Sequence, residues 1–402
     1  MTRIKLKDKL IISIIILFMI IVNTPYLYRQ LPSEIFVFMT FFVTVIIILN
    51  NIKQKIPLKI IYLIFLTSAW ILYQLSYKAI GLSTANIGNY IDVIVFYLYL
   101  FWYLLYIKLL PNFTKKKIFT IYSIVIFINL ISNIYLSFQH PIGSLLIDTP
   151  DGNYLKLTNI GGLSFATNIM IFSLVYFDRL IKQRGTLLIN LGVYLVSIYY
   201  LLFVSQRATQ MIFSLLYVAL ITSIFLIKKK NIMVFLITFL TVIIFATIFN
   251  SFIPPERLLL RFEDLIEFIQ SGFKVEKDST FYFRLYLIQN SLINYTSTIK
   301  NVILGTGLHY FTTWEEQVNA GLGLHSEVID TLTVYGIIGF TLCFTIVKNY
   351  YKKILDNKSK VLFLFIVFYA IFNKIVFSII GMSIFIVINI SQSEDLNEEN
   401  RT

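Results

Sequence analysis

Two isolated arginines, two histidines and a close pair of carboxylates are the residues of this chain best suited to chemistry. Arg207 stands in Ser205-Gln206-Arg207, a turn between two apolar runs that is too short to carry a side chain far from either. Arg284 lies in Phe281-Tyr-Phe-Arg-Leu-Tyr-Leu-Ile-Gln-Asn290, whose apolar spacing predicts a helix. A guanidinium is planar, permanently charged and shaped for bidentate contact with phosphate. The plainer reading of Arg207 is an interfacial arginine snorkelling to lipid headgroups. For Arg284 it is the one charge of an amphipathic surface helix. Against the plainer reading of Arg207 stands the rule that charges at membrane depth are functional candidates by default. His325 is followed by Glu327 and Asp330 at the start of a long apolar run. An imidazole there can accept a proton from a hydroxyl, whereas the two carboxylates are equally explained by a helix N-terminus, whose dipole favours them.

Three further residues are candidates for substrate contact. His309 follows the turn Gly305-Thr-Gly307. Arg257 and Arg261 are spaced i and i+4 on a helix expected to start at Pro255. Leu258, Leu259, Phe262, Leu265, Ile266 and Ile269 form its apolar side, and Glu263, Asp264 and Glu267 share its polar side. Its plainest role is to lie on the membrane or pack on the spans. The histidines and carboxylates have no HExxH-type helical spacing, and the lone cysteine, Cys343, sits in an apolar run. No metal and no cofactor are expected.

These residues need a scaffold, and composition says which kind. Of 402 residues 57% are hydrophobic and only 14% charged, against about a quarter charged in soluble proteins. The mean hydropathy is +0.78. Apolar runs of about 18 residues, enough to cross ~30 Å of hydrocarbon, recur along the chain. They do not alternate apolar and polar as barrel strands would. The expected fold is an all-α polytopic membrane protein of about twelve transmembrane helices. A net charge of +13 would raise nucleic acid as a partner for a soluble chain. Here the lysines and arginines gather in short loops, as the positive-inside rule requires, and no nucleic-acid partner is expected.

Residues 1–250 read as a membrane scaffold of about nine spans: 10–28, 34–50, 58–75, 91–109, 118–138, 159–177, 186–204, 208–227 and 231–250. Polar loops are expected at 76–89 and 139–158, the latter with Pro141, Gly143, Pro150 and Asp151-Gly152 as turn signals. Residues 251–326 form a large extracytoplasmic loop. Residues 327–390 hold the C-terminal spans, the first at about 327–347, the rest one span or two hinged near Asn373-Lys374 or Gly381. Residues 391–402 are a polar cytoplasmic tail. With the N-terminus inside, the basic clusters at 3–9, 53–59, 108–117, 179–184, 228–230 and 348–360 all fall on the cytoplasmic side. Both termini are then cytoplasmic, and the first apolar run, with no small-residue cleavage site after it, is a retained span.

The order of these features resembles a known superfamily. A short outward turn with Ser-x-Arg (Ser205-Gln206-Arg207) comes first. A large outward stretch with an Arg-bearing helix (Arg284) follows, then Asn301-Val-Ile-Leu-Gly-Thr-Gly307. Next comes a histidine opening a helix (His325-Ser-Glu-Val-Ile-Asp330) that continues Tyr335-Gly-Ile-Ile-Gly339-Phe340. The chain resembles the O-antigen ligase and O-antigen or capsular polysaccharide polymerase superfamily, across its length in topology and in motifs from about 200 to 340. The resemblance implies a metal-independent glycosyltransferase of the plasma membrane acting on its outer side. The donor would be a glycan on undecaprenyl diphosphate. The acceptor would be a lipid-linked repeat unit for a polymerase, or a different finished acceptor for a ligase. It further implies Arg207 and Arg284 as diphosphate contacts and His325 near the acceptor. Independently of the resemblance, an attacking acceptor hydroxyl must lose a proton, for which His325, or Glu327 in its place, is the expected base. Chain-length regulator and flippase proteins are further expected partners, besides membrane lipid. The family often has His-Asn where this chain has His325-Ser326. Repeat-unit polymerase is the first expectation, ligase the alternative. A lipid-linked oligosaccharide flippase is a second alternative, which would be expected to keep its charges in a central cavity.

Overall fold

Long apolar stretches leave the backbone one economical solution in hydrocarbon, since every N–H and C=O must find its partner within the segment. Helices are what form. The structure, a computed structural model, describes residues 6–24, helical positions between 35 and 49, and residues 58–79, 112–139, 146–148, 154–156, 163–181, 186–205, 208–229, 280–307, Glu316, Asn319, Ala320, 326–353 and 357–373. It is nearly all helical. In chain order the elements are α1 (Leu6–Asn23), α2 (Leu58–Ala79), α3 (Asn112–Gln139), β1 (Leu146–Asp148), β2 (Tyr154–Lys156), α4 (Leu163–Ile181), α5 (Leu187–Tyr199), a π-helical turn (Tyr200–Val204), α6 (Ala208–Lys229), α7 (Thr280–Thr296), α8 (Ile299–Leu304), α9 (Glu327–Lys353) and α10 (Asn357–Phe372). No proline falls inside these helices. Pro57 and Pro111 stand immediately before α2 and α3, where a missing N–H costs nothing.

Among the described residues two segments are long and apolar enough to cross a membrane, Lys115–Tyr135 in α3 and Glu327–Lys352 in α9. Shorter apolar helices cover 61–77, 187–199, 209–223 and 360–372. Their outer faces expose large apolar side chains, among them Phe65, Leu72, Ile128, Leu188 and Phe344. Apolar exposure on this scale marks a surface covered by lipid or protein.

The chain divides into two compact units. The first comprises residues 1–126, 150–153 and 286–402, the second 127–149 and 154–285. In the first unit α9 packs against α2, α8 and α10, around a core that includes Leu63, Trp70, Leu362, Ile366 and Tyr369. Gly339 lets α2 approach: a Cβ there would come within 2.8 Å of Tyr73 Cε1 and 3.2 Å of Trp70, and small residues are what close helix contacts in membranes use. In the second unit α4 packs on α5 and α6. Phe177 meets Tyr194 at 5.3 Å between ring centroids, and Phe165 meets Tyr200 edge-on at 5.6 Å.

Several boundaries differ from the sequence reading, with one cause. Helices outrun the apolar core. Lys115–Lys117 lie in the first turns of α3, Asp178 and Arg179 in α4, and Lys348, Lys352 and Lys353 at the end of α9, with Lys358 and Lys360 opening α10. Lysine and arginine are good helix formers, so the backbone stays wound through them. The polar loop 139–158 contains a short antiparallel hairpin, paired Leu146–Lys156, Ile147–Leu155 and Asp148–Tyr154. Its strands flank Pro150-Asp151-Gly152, strong turn chemistry. The expected spans at 91–109 and 231–250, and residues 374–390, lie outside the described residues. The chain bends at Asn373 after α10, and the expected hinge near Asn373-Lys374 or Gly381 otherwise lies outside the described residues.

Candidate active site

Arg284 sits on the expected helix, α7. Glu327 and Asp330 sit in the first turn of α9. Glu327 is 5% exposed and Asp330 partly exposed. Ser326 caps this helix, its Oγ accepting from the Ile329 N–H at 3.2 Å. Ser and Asn are comparable N-caps. Ser326 thus serves the helix start as an asparagine would. Arg207, Arg257, Arg261, His309 and His325 lie outside the described residues.

The segments flanking Arg207 are held on both sides. Before it, the helix widens into the π-helical turn Tyr200–Val204, a feature frequent at functional sites. The Ser205 N–H donates to the Tyr200 carbonyl at 2.8 Å, and Ser205 Oγ donates to the Leu201 carbonyl at 3.0 Å. After it, Gln210 Nε2 donates to Thr167 Oγ1 at 3.3 Å, tying α6 to α4.

A further construction joins two glycine motifs in the first unit. Helix α9 is broken at Gly336, with φ 63° and ψ −173°. The carbonyls of Thr333, Val334 and Tyr335, just before the break, all take donors from outside α9. The Thr306 N–H donates to Thr333 O at 2.8 Å and the Gly307 N–H to Val334 O at 2.9 Å. The Tyr73 phenol on α2 donates to Tyr335 O at 2.8 Å. A kink without these donors would strand polar groups in an apolar surround at several kcal/mol each. Gly305, at φ 87° and ψ 174°, fits against the break so closely that a Cβ on it would overlap the Val334 carbonyl. A Cβ on Gly336 would overlap the Gly305 nitrogen and the Ile303 carbonyl.

Asn301 secures the approach to this junction. Its side-chain amide donates to the Asn294 carbonyl and to Ser297 Oγ, both at 3.0 Å. Its N–H is capped by Thr298 Oγ1 at 3.1 Å. Tyr295, whose phenol burial holds above its ordinary pKa, donates to the Val302 carbonyl at 3.2 Å. Buried Ser291 and Thr333 share a hydroxyl bond of 2.8 Å, linking α7 to α9.

The chain matches no protein-family model and none of the curated proteins.

Sequence reasoning missed Tyr73. Nothing in an apolar run distinguishes a tyrosine that fills space from one that closes a kink. Its oxygen lies 2.8 Å from Tyr77 Oη and 3.3 Å from the Leu304 carbonyl as well. A phenol has one proton, so the short bond to Tyr335 O takes it and Tyr77 donates to Tyr73. Tyr73→Phe is expected to destabilise the protein by about 1–3 kcal/mol, the cost of a buried acceptor left unmet. Thermal unfolding in detergent measures it; an unchanged midpoint would show the bond to be dispensable.

Proposed function

We propose that the protein is a multi-pass plasma-membrane glycosyltransferase of about twelve spans. It extends a surface polysaccharide by moving a growing glycan from undecaprenyl diphosphate to a lipid-linked repeat unit on the outer side of the membrane. The acceptor hydroxyl oxygen attacks the anomeric carbon of the donor, the bond from that carbon to the diphosphate oxygen breaks, and the configuration inverts. The diphosphate leaves with growing negative charge, which Arg207 and Arg284 stabilise in a partly dry site. The hydroxyl proton passes to His325, or to Glu327 in its place. A site at the membrane surface leaves the polyprenyl tail in lipid and the sugars in water. Arg257, Arg261, His309 and Asp330 are the further contacts available to sugar or phosphate.

One observation carries most of this reading. The Asn301–Gly307 motif of the large loop is pinned by backbone hydrogen bonds to α9, at Thr333 and Val334. The segment Asn301–Gly307 and the first turns of α9, which bear Glu327 and Asp330, are therefore joined into one piece, which supports a fixed placement of reacting groups.

A flippase is the second reading, and the buried polar residues of α4 to α6 speak to it: Thr167, Asn168, Ser173, Asp178, Asn190, Ser197, Gln210 and Ser214. Ser173, Ser197 and Ser214, however, donate to carbonyls of their own helices at 2.6–2.9 Å. These three hydroxyls therefore have a structural partner within their helices, which favours the transferase reading over a transport path. Purified protein given defined lipid-linked repeats should make polymer equally with and without a chelator; repeats left unjoined under both conditions would end the polymerase reading. In cells, deletion should leave single-repeat products for a polymerase, unattached polymer for a ligase and no external repeats for a flippase.

A further inference from the structure

The depth of the glycine junction has a consequence for the loop that makes it. Between Asp330 and Lys348, α9 has an uncharged stretch, 331–347, about 26 Å long at 1.5 Å per residue and thus close to the hydrocarbon thickness. The junction, at Thr333 to Gly336, lies about 3–8 Å inside the end of that stretch nearest Glu327. Helix α8 ends at this junction and is only about 7.5 Å long from Ile299 to Leu304. It cannot leave the membrane boundary.

The exposed surface of this segment carries large apolar side chains beside Thr296, Ser297, Thr298 and Lys300. Ile299 is 79% exposed, Ile293 55% and Ile303 45%, and on α9 Ile337 and Ile338 are 50% and 46% exposed. The backbone of Ile303 abuts Gly336, which brings α8 and this part of α9 together at the junction. Polar side chains of the α7–α8 turn bond mostly within it, and the Asn294 amide donates to the Asn319 and Ala320 carbonyls at 3.4 and 3.1 Å. Thr296 Oγ1 donates to the Leu292 carbonyl at 2.9 Å and Ser297 Oγ to the Asn294 carbonyl at 2.8 Å. Thr298 Oγ1 caps Asn301, and the Asn301 amide has two partners. Non-helical backbone survives near hydrocarbon only when satisfied in this manner. Lys300, exposed beside Ile299, has a stem long enough to reach headgroups.

We infer that the end of α7 and all of α8 form a membrane-seated wedge whose Ile293, Ile299 and Ile303 contact the acyl chains of the bilayer. The large loop is thus anchored in lipid beside α9 and does not stand wholly in water. The inference rests on α9 crossing the bilayer and not on the transferase chemistry.

The test places single cysteines at 293, 299 and 303, with 338 and 352 as references, in a Cys343→Ala background. Native Cys343 is buried, so retaining it serves if that background folds poorly. Nitroxide-labelled protein in phosphatidylethanolamine–phosphatidylglycerol vesicles is probed by collision with oxygen and with a water-soluble nickel chelate. Labels at 293, 299 and 303 should favour oxygen over nickel, less strongly than the deeper 338 but several-fold more than 352. Nickel-favoured collisions at 299 and 303, with 338 still favouring oxygen, overturn the wedge while sparing the span. Inaccessibility to both probes overturns it too, because protein would then be the cover. Nickel-favoured collisions at 338 would remove the span and the wedge together.

Discussion

Alanine at Gly336 is expected to destabilise the folded protein by about 2–6 kcal/mol. About 1–3 kcal/mol comes from the backbone, which at φ 63° and ψ −173° occupies a region open essentially to glycine alone. A further ~1–3 kcal/mol comes from forcing a methyl into packed backbone, against the Gly305 nitrogen and the Ile303 carbonyl. Neither obstacle is a flexible side chain that can swing away. Gly305→Ala should cost as much for the same two reasons, with the Val334 carbonyl as the obstacle. The double substitution should cost less than the sum, since both break one junction. Gly192→Ala is the matched control. It sits within α5 with open space where its Cβ would lie, so it should hold or gain about 0.5–1 kcal/mol. Thermal unfolding in detergent reads all four. A Gly336→Ala midpoint equal to that of Gly192→Ala would mean that the interlock does not support the fold.

The second large effect is on turnover. Removing one fixed donor from a developing anion typically lowers kcat by about 10²–10³-fold, and losing a general base by about 10²–10⁴-fold. Arg284→Ala and His325→Ala should fall in these ranges on purified lipid-linked repeats. Arg207→Lys should lose less than Arg284→Ala, because an ammonium keeps the charge and gives up only the bidentate fork. Each protein must first run as a single species in detergent with a wild-type unfolding midpoint. Near-normal polymer from Arg284→Ala and His325→Ala under those conditions would end the assignment of the clamp and the base.

How legible the molecule was from its residues varies by element. The helix bearing Arg284 was read from apolar spacing, and α7 covers Thr280–Thr296. The helix opening at Glu327 was read from its carboxylates and the apolar run behind them, and α9 begins at that residue. Helix ends were less legible, since lysines that look like loop residues continue a helix whenever no proline or glycine stops it. The hairpin at 146–156 was also hidden, because three-residue strands carry too little periodicity to be seen. Of the candidate site, Glu327 and Asp330 stand at the helix start expected of them, and Arg284 on its helix.

The chain alone determined its class. A composition so apolar, in runs this long and free of alternation, can satisfy its backbone in hydrocarbon chiefly by winding into helices. It also determined the order of the motifs. Only the tertiary structure decided that Asn301–Gly307 and Tyr335–Gly339 are one object. Three carbonyls freed at a kink must find donors, and those donors come from a loop some thirty positions upstream and from a tyrosine, Tyr73, on α2. Hydrogen bonds between residues so far apart leave no periodic trace in sequence, because the requirement is a shared place and not a spacing.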